Sequence, residues 1–291
     1  MSGSHIGFLD PHEAYFKYKD GNKPERPTSS YSFDFNSDER RRLRHQFEPF
    51  QHRLFGSENL DTGQYQGTIF RFPLRQDKTR SDISTTEYND AKIKELFSMF
   101  ESEAHSFLLF LNNIEKIELY EKDSQHLEPR RLLTVKIADK CLQQVRAARK
   151  AFQDQIKTSA GWRDSPIQVT YDLSIDMLQH AEASNDIITT KRWLVTQYYE
   201  GGSGADKLKR LVQEGNSKNL PWVGVALPLD ANQSHTPVGQ LFCFLPLPVT
   251  EGSATGFHFH VNGYFAVSQN RFVSSLHHVS IGKLKNTIAC F

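Results

Sequence analysis

The 291-residue chain is 38% hydrophobic and 24% charged, with a formal net charge of +1. That is enough apolar material for a sizeable core, and it excludes any global electrostatic pull toward nucleic acid or an anionic membrane. Purely apolar runs such as Phe107 to Leu111 fall far short of the ~20 residues that span a bilayer, and no signal-peptide pattern opens the chain. Three scattered cysteines, Cys141, Cys243 and Cys290, make no disulfide framework and fit a reducing, cytoplasmic compartment.

In chain order, Ile6 to Leu9 reads as a strand running into the turn Asp10-Pro11-His12-Glu13, and Lys17 to Ser30 reads as a polar surface loop. Ser37 caps a helix with Asp38 and Glu39 in its first turn and Arg40, Arg41, Arg42 and Arg44 behind them, the order the helix dipole favours. Leu43, Phe47 and Phe50 give it one apolar face, and Pro49 limits its length. Tyr65 to Arg75 alternates as a strand. The charged, Ser/Thr-rich stretch Gln76 to Thr86 is expected to be a domain boundary.

Beyond it, Ser84-Thr85-Thr86-Glu87 has capping-box spacing, and Ile93, Leu96, Phe97, Phe100, Ala104, Phe107 and Leu108 recur at helical intervals, as one long helix or two in sequence. Strands are expected over Ile114 to Tyr120 and Arg131 to Ile137. An amphipathic helix follows over Asp139 to Ile156, through Leu142, Val145, Ala148 and Phe152. The rest reads as strand-rich: Ile167 to Leu173, Ile187 to Tyr199, Pro221 to Leu229, Leu241 to Leu245 and Phe257 to Val267, interrupted by a helix over Ala205 to Val212. There is no internal repeat.

Six segments stand out together: HIGFLDPHEAYF (5–16), QFEPFQHRLF (46–55), GTIFRFPLR (67–75), LPWVGVALPL (220–229), GQLFCFLPLP (239–248) and HFHVNGYFAVSQNR (258–271). Proline-punctuated aromatic runs in this order resemble the repeating units of the sacsin family. The N-terminal part of those units is similar to the ATPase domain of the ninety-kilodalton heat-shock chaperones. The resemblance implies an α+β fold. Residues 1–76 would form the C-terminal part of a GHKL-type (Bergerat) α/β sandwich, 84–271 a mixed α/β middle region, and 272–291 an atypical tail.

In that ATPase superfamily, nucleotide is held by a helix bearing Glu and Asn, an Asp-containing glycine turn and a Gly-rich lid, groups that supply an adenine acceptor, a metal-bridging amide and phosphate donors. All of them lie upstream of the Asp-Pro-His turn in the family, and nine residues precede Asp10 here. The chain is therefore expected to hold no ATP, with ATP and Mg implied only for a complete repeat. Of the family's nucleotide contacts only Gly67 and Thr68 map onto this sequence, and an ordinary strand role for Thr68 is the simpler reading. Arg271, by loose analogy with heat-shock middle domains, reaches toward phosphate; a surface arginine with a carboxylate partner is simpler, and Phe272 stands where a second Arg commonly follows. Asn262-Gly263, the preferred pair for a tight turn, reads as a hairpin apex.

Other constellations have plainer readings. His258 and His260, two apart on a strand, would share a face as metal ligands can, yet no evident third ligand accompanies them, so no metal site is expected. Asp10, His12 and Glu13 read as a turn. Gly201-Gly202-Ser203-Gly204-Ala205 has the strand–helix context of a hydrolase nucleophile elbow, with Ala205 in place of the final Gly; a flexible loop capping a helix accounts for it better. The Arg40–Arg44 cluster is a solvated helix face rather than a nucleic-acid site. The implied function is that of a chaperone or co-chaperone fragment acting on client proteins, with seventy-kilodalton heat-shock machinery as a partner, no enzymatic activity, and neither nucleic acid nor membrane as a partner. A nucleotide-independent interaction or scaffold module is the alternative, and a serine hydrolase using Ser203 a remote one.

Overall fold

The computed structural model describes residues 2–3, 5–9, 30–34, 38, 41, 65–72, 74, 87–122, 128–157, 165–181, 186–203, 205–206, 210, 221–230, 239–248 and 254–263. Their architecture is α+β. The chain divides into two compact units, Met1–Ser98 and Met99–Phe291.

The first unit holds an antiparallel four-stranded sheet in the order β3-β2-β1-β4, with β1 Ser2–Gly3, β2 His5–Leu9, β3 Ser30–Asp34 and β4 Tyr65–Thr68. Ile6 is buried and Gly7 exposed, the alternation expected of a half-covered strand. The expected strand Tyr65 to Arg75 stops at Thr68. Phe70 and Phe72 beyond it are 75% and 78% exposed, and their rings stack 6.3 Å apart. The expected arginine-rich helix is described only at Asp38 and Arg41, both helical and joined by an exposed 2.8 Å ion pair.

Helix α1, Asp90–Phe107, is a single helix. Its cap is Asn89, whose Oδ1 accepts the Lys92 amide at 3.0 Å, so the helix starts beyond the expected capping box Ser84–Glu87. The second unit is one eight-stranded sheet in the order β11-β10-β12-β9-β8-β7-β6-β5. Its strands are β5 Lys116–Glu121, β6 Arg130–Ile137, β7 Ile167–Gln179, β8 Ile187–Tyr199, β9 Trp222–Pro228, β10 Leu241–Cys243, β11 Leu245–Pro246 and β12 His260–Gly263. Neighbours are antiparallel except for β10 and β12, so the late strand β12 is inserted between β9 and β10. The antiparallel partners β7 and β8 are paired along all 13 residues of each.

Helix α2, Asp139–Lys157, packs on β7. Cys141, Val145 and Phe152 point inward at helical spacing, and Arg149 occupies the same buried stripe. Leu142 and Ala148, expected to define that stripe, are half-buried. The main core joins Leu108–Phe110, Leu133, Val135, Val145, Leu173, Ile175, Trp193, Val195 and Phe242.

Two expectations for the end of the sheet change: the hairpin apex at Asn262-Gly263 and the unbroken strand Leu241 to Leu245. Asn262 and Gly263 lie inside β12, paired with Gly224 and Val223, not at a hairpin apex. The apex is Phe244, at φ 63°, which folds β11 back onto β10. A bulky side chain in the left-handed region is strained by about 1–2 kcal/mol. Two contacts hold it there: the Asn262 Oδ1 accepts the Phe244 amide at 2.7 Å, and the Phe244 ring stacks on Trp222 at 5.2 Å. Opposite Asn262, Gly224 has no side chain because the Phe110 ring fills the space; a Cβ there would sit 3.0 Å from it.

Candidate functional site

The two nucleotide-mapped positions lie on β4 of the first unit. Gly67 has φ 137°, which an L side chain rarely adopts, and both Gly67 and Thr68 are exposed. Near them in sequence is an open cleft of about 420 Å³, lined among the described residues by Leu74, Tyr88, Asn89, Asp90 and Ala91, which bring one carboxylate and no cation. Arg271 lies outside the described residues, as do Asp10, His12, Glu13, Cys290 and the tail 272–291.

Ser203 is exposed at the start of a helical stretch that also includes Ala205, Asp206 and Arg210. The strand before it, β8, runs antiparallel to both neighbours, whereas a nucleophile elbow follows a parallel strand. The glycines have a packing reason: any Cβ on Gly201 would collide with the Ser165–Pro166 backbone, and Gly202 adopts φ 61°. Neither Cys141 nor Cys243 is in a disulfide.

Among the described residues, titratable side chains converge at two places in the second unit. In the first, the His105 ring from α1 stacks on Trp193 of β8 at 6.0 Å, and the Lys191 Nζ lies 3.3 Å from the His105 Nε2. The His260 ring of β12 packs with its centroid 5.2 Å from that of Trp193 and 5.1 Å from that of Phe242. The Gln240 amide donates to the His260 Nδ1 at 3.1 Å, which requires a bare Nδ1 and so places the ring proton on Nε2. Burial first, then the Lys191 and His260 charges, push His105 down to about 3. Burial likewise lowers His260 to about 4, with Lys191 adding to the effect. Lys191 itself is lowered by burial, and Asp230 opposes that shift. At neutral pH the cluster is thus two neutral imidazoles around one aromatic wall. His258 is exposed on an irregular segment while His260 is buried in β12, so the two do not share a metal-facing side.

At the other place, the Thr134 Oγ1 meets the His180 Nε2 at 3.1 Å, and the His180 Nδ1 meets the Asp186 Oδ2 at 2.7 Å. The connectivity is that of a hydroxyl–imidazole–carboxylate relay. Thr134, however, is buried in the middle of β6, and the three residues come from β6, the end of β7 and the start of β8. The chain of bonds clasps three strands together.

Arg149 is the third buried polar centre. Its Nη2 donates to the Leu108 and Leu109 carbonyls at 2.8 and 3.4 Å, and its Nε to the Tyr171 hydroxyl at 3.4 Å. Those carbonyls follow the last turn of α1 and have no helical partner, so a guanidinium from another helix satisfies the C-terminus.

Periodicity missed all three centres because each joins residues far apart in sequence. The last three motif segments, by contrast, recur here as packing: Trp222, Gly224, Leu241, Phe242, Leu247, His260 and Asn262 are all buried. Residues 1–134 match the family model described as Sacsin domain. Human Sacsin aligns over 284 residues, 93% of this chain, at 31% identity. The chain belongs to the sacsin family. It spans 6% of the length of human Sacsin. No solved structure matches it. Among the described residues, no helix is long and apolar enough to cross a membrane.

Proposed function

We propose that this chain is a protein-contacting, nucleotide-independent part of a sacsin-like cytoplasmic chaperone, acting on clients of the folding machinery and not as an enzyme. The supporting observation is the segment after β4, where Phe70, Phe72 and Leu74 are 75%, 78% and 47% exposed. Large apolar side chains grouped on a surface mark contact with apolar partner segments. They follow Gly67-Thr68 directly, so the strand that would carry the family's nucleotide contact leads here into an apolar surface. In this reading the first sheet corresponds to the end of a GHKL-type sandwich, and ATP with Mg is handled elsewhere in a complete repeat, as is any collaboration with seventy-kilodalton heat-shock chaperones.

Suppression of thermal aggregation of a model client, with and without ATP and Mg, tests the proposal. The chain is expected to suppress aggregation equally in both conditions, and Phe70→Ser/Phe72→Ser to lose most of that effect while the chain stays folded. Saturable calorimetric binding of ATP–Mg near micromolar affinity would refute the nucleotide-independent part. Unchanged suppression by the double variant would refute the apolar-contact part. Covalent labelling of Ser203 by a fluorophosphonate, lost in Ser203→Ala, would favour a hydrolase instead.

A further inference from the structure

One face of β8 passes from solvent into the core over three alternate residues: Thr189 is exposed, Lys191 half-buried and Trp193 buried. The Lys191 amine stands where that face turns apolar. Across the ladder, β7 sets the buried Ile175 opposite Lys191. From α1, His105 stacks on Trp193 with its Nε2 3.3 Å and its Nδ1 3.5 Å from the Lys191 Nζ. Nearly equal distances to both ring nitrogens set the amine beside the ring as a whole and not on one lone pair. His260 of β12 packs on the same indole. The carboxylate that bears on the amine is Asp230, and both its oxygens are engaged by Arg192, at 2.8 Å from the backbone amide and 3.0 Å from Nε. Among the described residues, no carboxylate lies within ion-pair distance of Lys191. An ammonium here faces two neutral imidazoles and an indole, and burial lowers the amine from its ordinary value.

From this placement we infer that Lys191 is an acyl-acceptor site, modified on its amine by acyl thioesters. The nucleophile is the neutral amine, whose lone pair attacks the thioester carbonyl carbon. A C–N bond forms and the C–S bond breaks. The sulfur leaves with its electron pair and takes up the proton that the nitrogen loses, so the products are a secondary amide and a free thiol. No atom changes oxidation state. The surroundings favour this product over the ammonium. The amide is neutral, its N–H keeps the bare nitrogen of His105 as an acceptor, and the exposed Thr189 leaves the acyl group a path outward. Acylation therefore removes a charge that the core edge leaves without a close partner.

Incubation of the folded full chain with acetyl coenzyme A at about pH 7.5, with acetyl occupancy of each lysine read by peptide mass spectrometry, tests the site. Lys191 is expected to acquire acetyl at least about threefold faster than the median of the other lysines, and to lose that advantage in urea, where only local sequence acts. Trace labelling with acetic anhydride between about pH 6 and pH 11 gives a second readout. The Lys191 rate is expected to level off at lower pH than the rates of exposed lysines. Thr189→Asp sets a carboxylate beside the amine on the solvent side of the same face. With an unchanged circular-dichroism spectrum, it is expected to slow Lys191 labelling by acetic anhydride at least about threefold at neutral pH. A smaller advantage in the folded chain, an advantage that persists in urea, a plateau shared with exposed lysines, or a rate unchanged by Thr189→Asp overturns the proposal.

Discussion

Acidification from pH 7 to pH 5 should destabilise the second unit through His105 and His260. Unfolding releases both imidazoles to water, where they titrate near 6.5, whereas burial holds them at about 3 and about 4 in the fold. A group whose folded pKa is depressed binds fewer protons in the native state than in the unfolded state. Its contribution is therefore complete above about pH 6.5 and is lost as the pH falls toward the folded value. At pH 5 the native state still carries neither proton and the unfolded state carries nearly both. Each group then costs about 2 kcal/mol relative to pH 7, and the pair about 4 kcal/mol, a large share of a typical domain's stability. Between pH 6 and 5 the slope is about 2.5 kcal/mol per pH unit. Glu115, held below the usual carboxylate range chiefly by its hydrogen bond from Arg146, and Asp230, lowered chiefly by the Arg192 amide, begin to lose their contributions only below about pH 4.5, so this window isolates the imidazoles. Urea unfolding followed by tryptophan fluorescence is the assay, since Trp193 lies against both rings. The double variant His105→Asn/His260→Asn keeps the chain's other histidines, so the difference in slope from wild type reads this pair alone. A difference below about 0.5 kcal/mol per pH unit would show that the fold does not hold the two rings neutral, and would refute the reasoning.

Two further substitutions test the buried polar contacts. Arg149→Met is expected to destabilise the chain by about 2 kcal/mol, because the Leu108 and Leu109 carbonyls lose their donor, and Arg149→Lys should not restore it, since one ammonium cannot reproduce the fork; urea midpoints at pH 7 check both. Asn262→Ala removes the acceptor that holds the Phe244 amide in its strained turn and is expected to cost about 2 kcal/mol, with faster hydrogen exchange at Phe244 than in wild type. An Asn262→Ala protein as stable as wild type would mean the Phe244–Trp222 stack alone holds that turn.

The amino-acid sequence determined what depends on near neighbours along the chain. The 3.6-residue recurrence marks α1 and α2 to within a few residues. Ile187 to Tyr199 has the bounds of β8, because a long β-branched and aromatic run flanked by Asp186 and the glycines at 201 and 202 carries its own signals. The motif series also identified the sacsin family, and its last three segments supply buried residues of the eight-stranded sheet. What only the tertiary structure decided is where distant segments meet. Asn262-Gly263 has turn chemistry, yet β9 and β10 enclose it on both sides, and ladder pairing with Gly224 outweighs a local preference. Arg149 is not in the apolar series that marks its helix, but the end of α1 offers carbonyls that bring it inside. The same holds for His105, Lys191 and His260, whose side chains meet around Trp193 from one helix and two strands. Local spacing sets a residue's direction on its own element; which partner it meets, and hence its charge state, follows from the order in which the strands assemble.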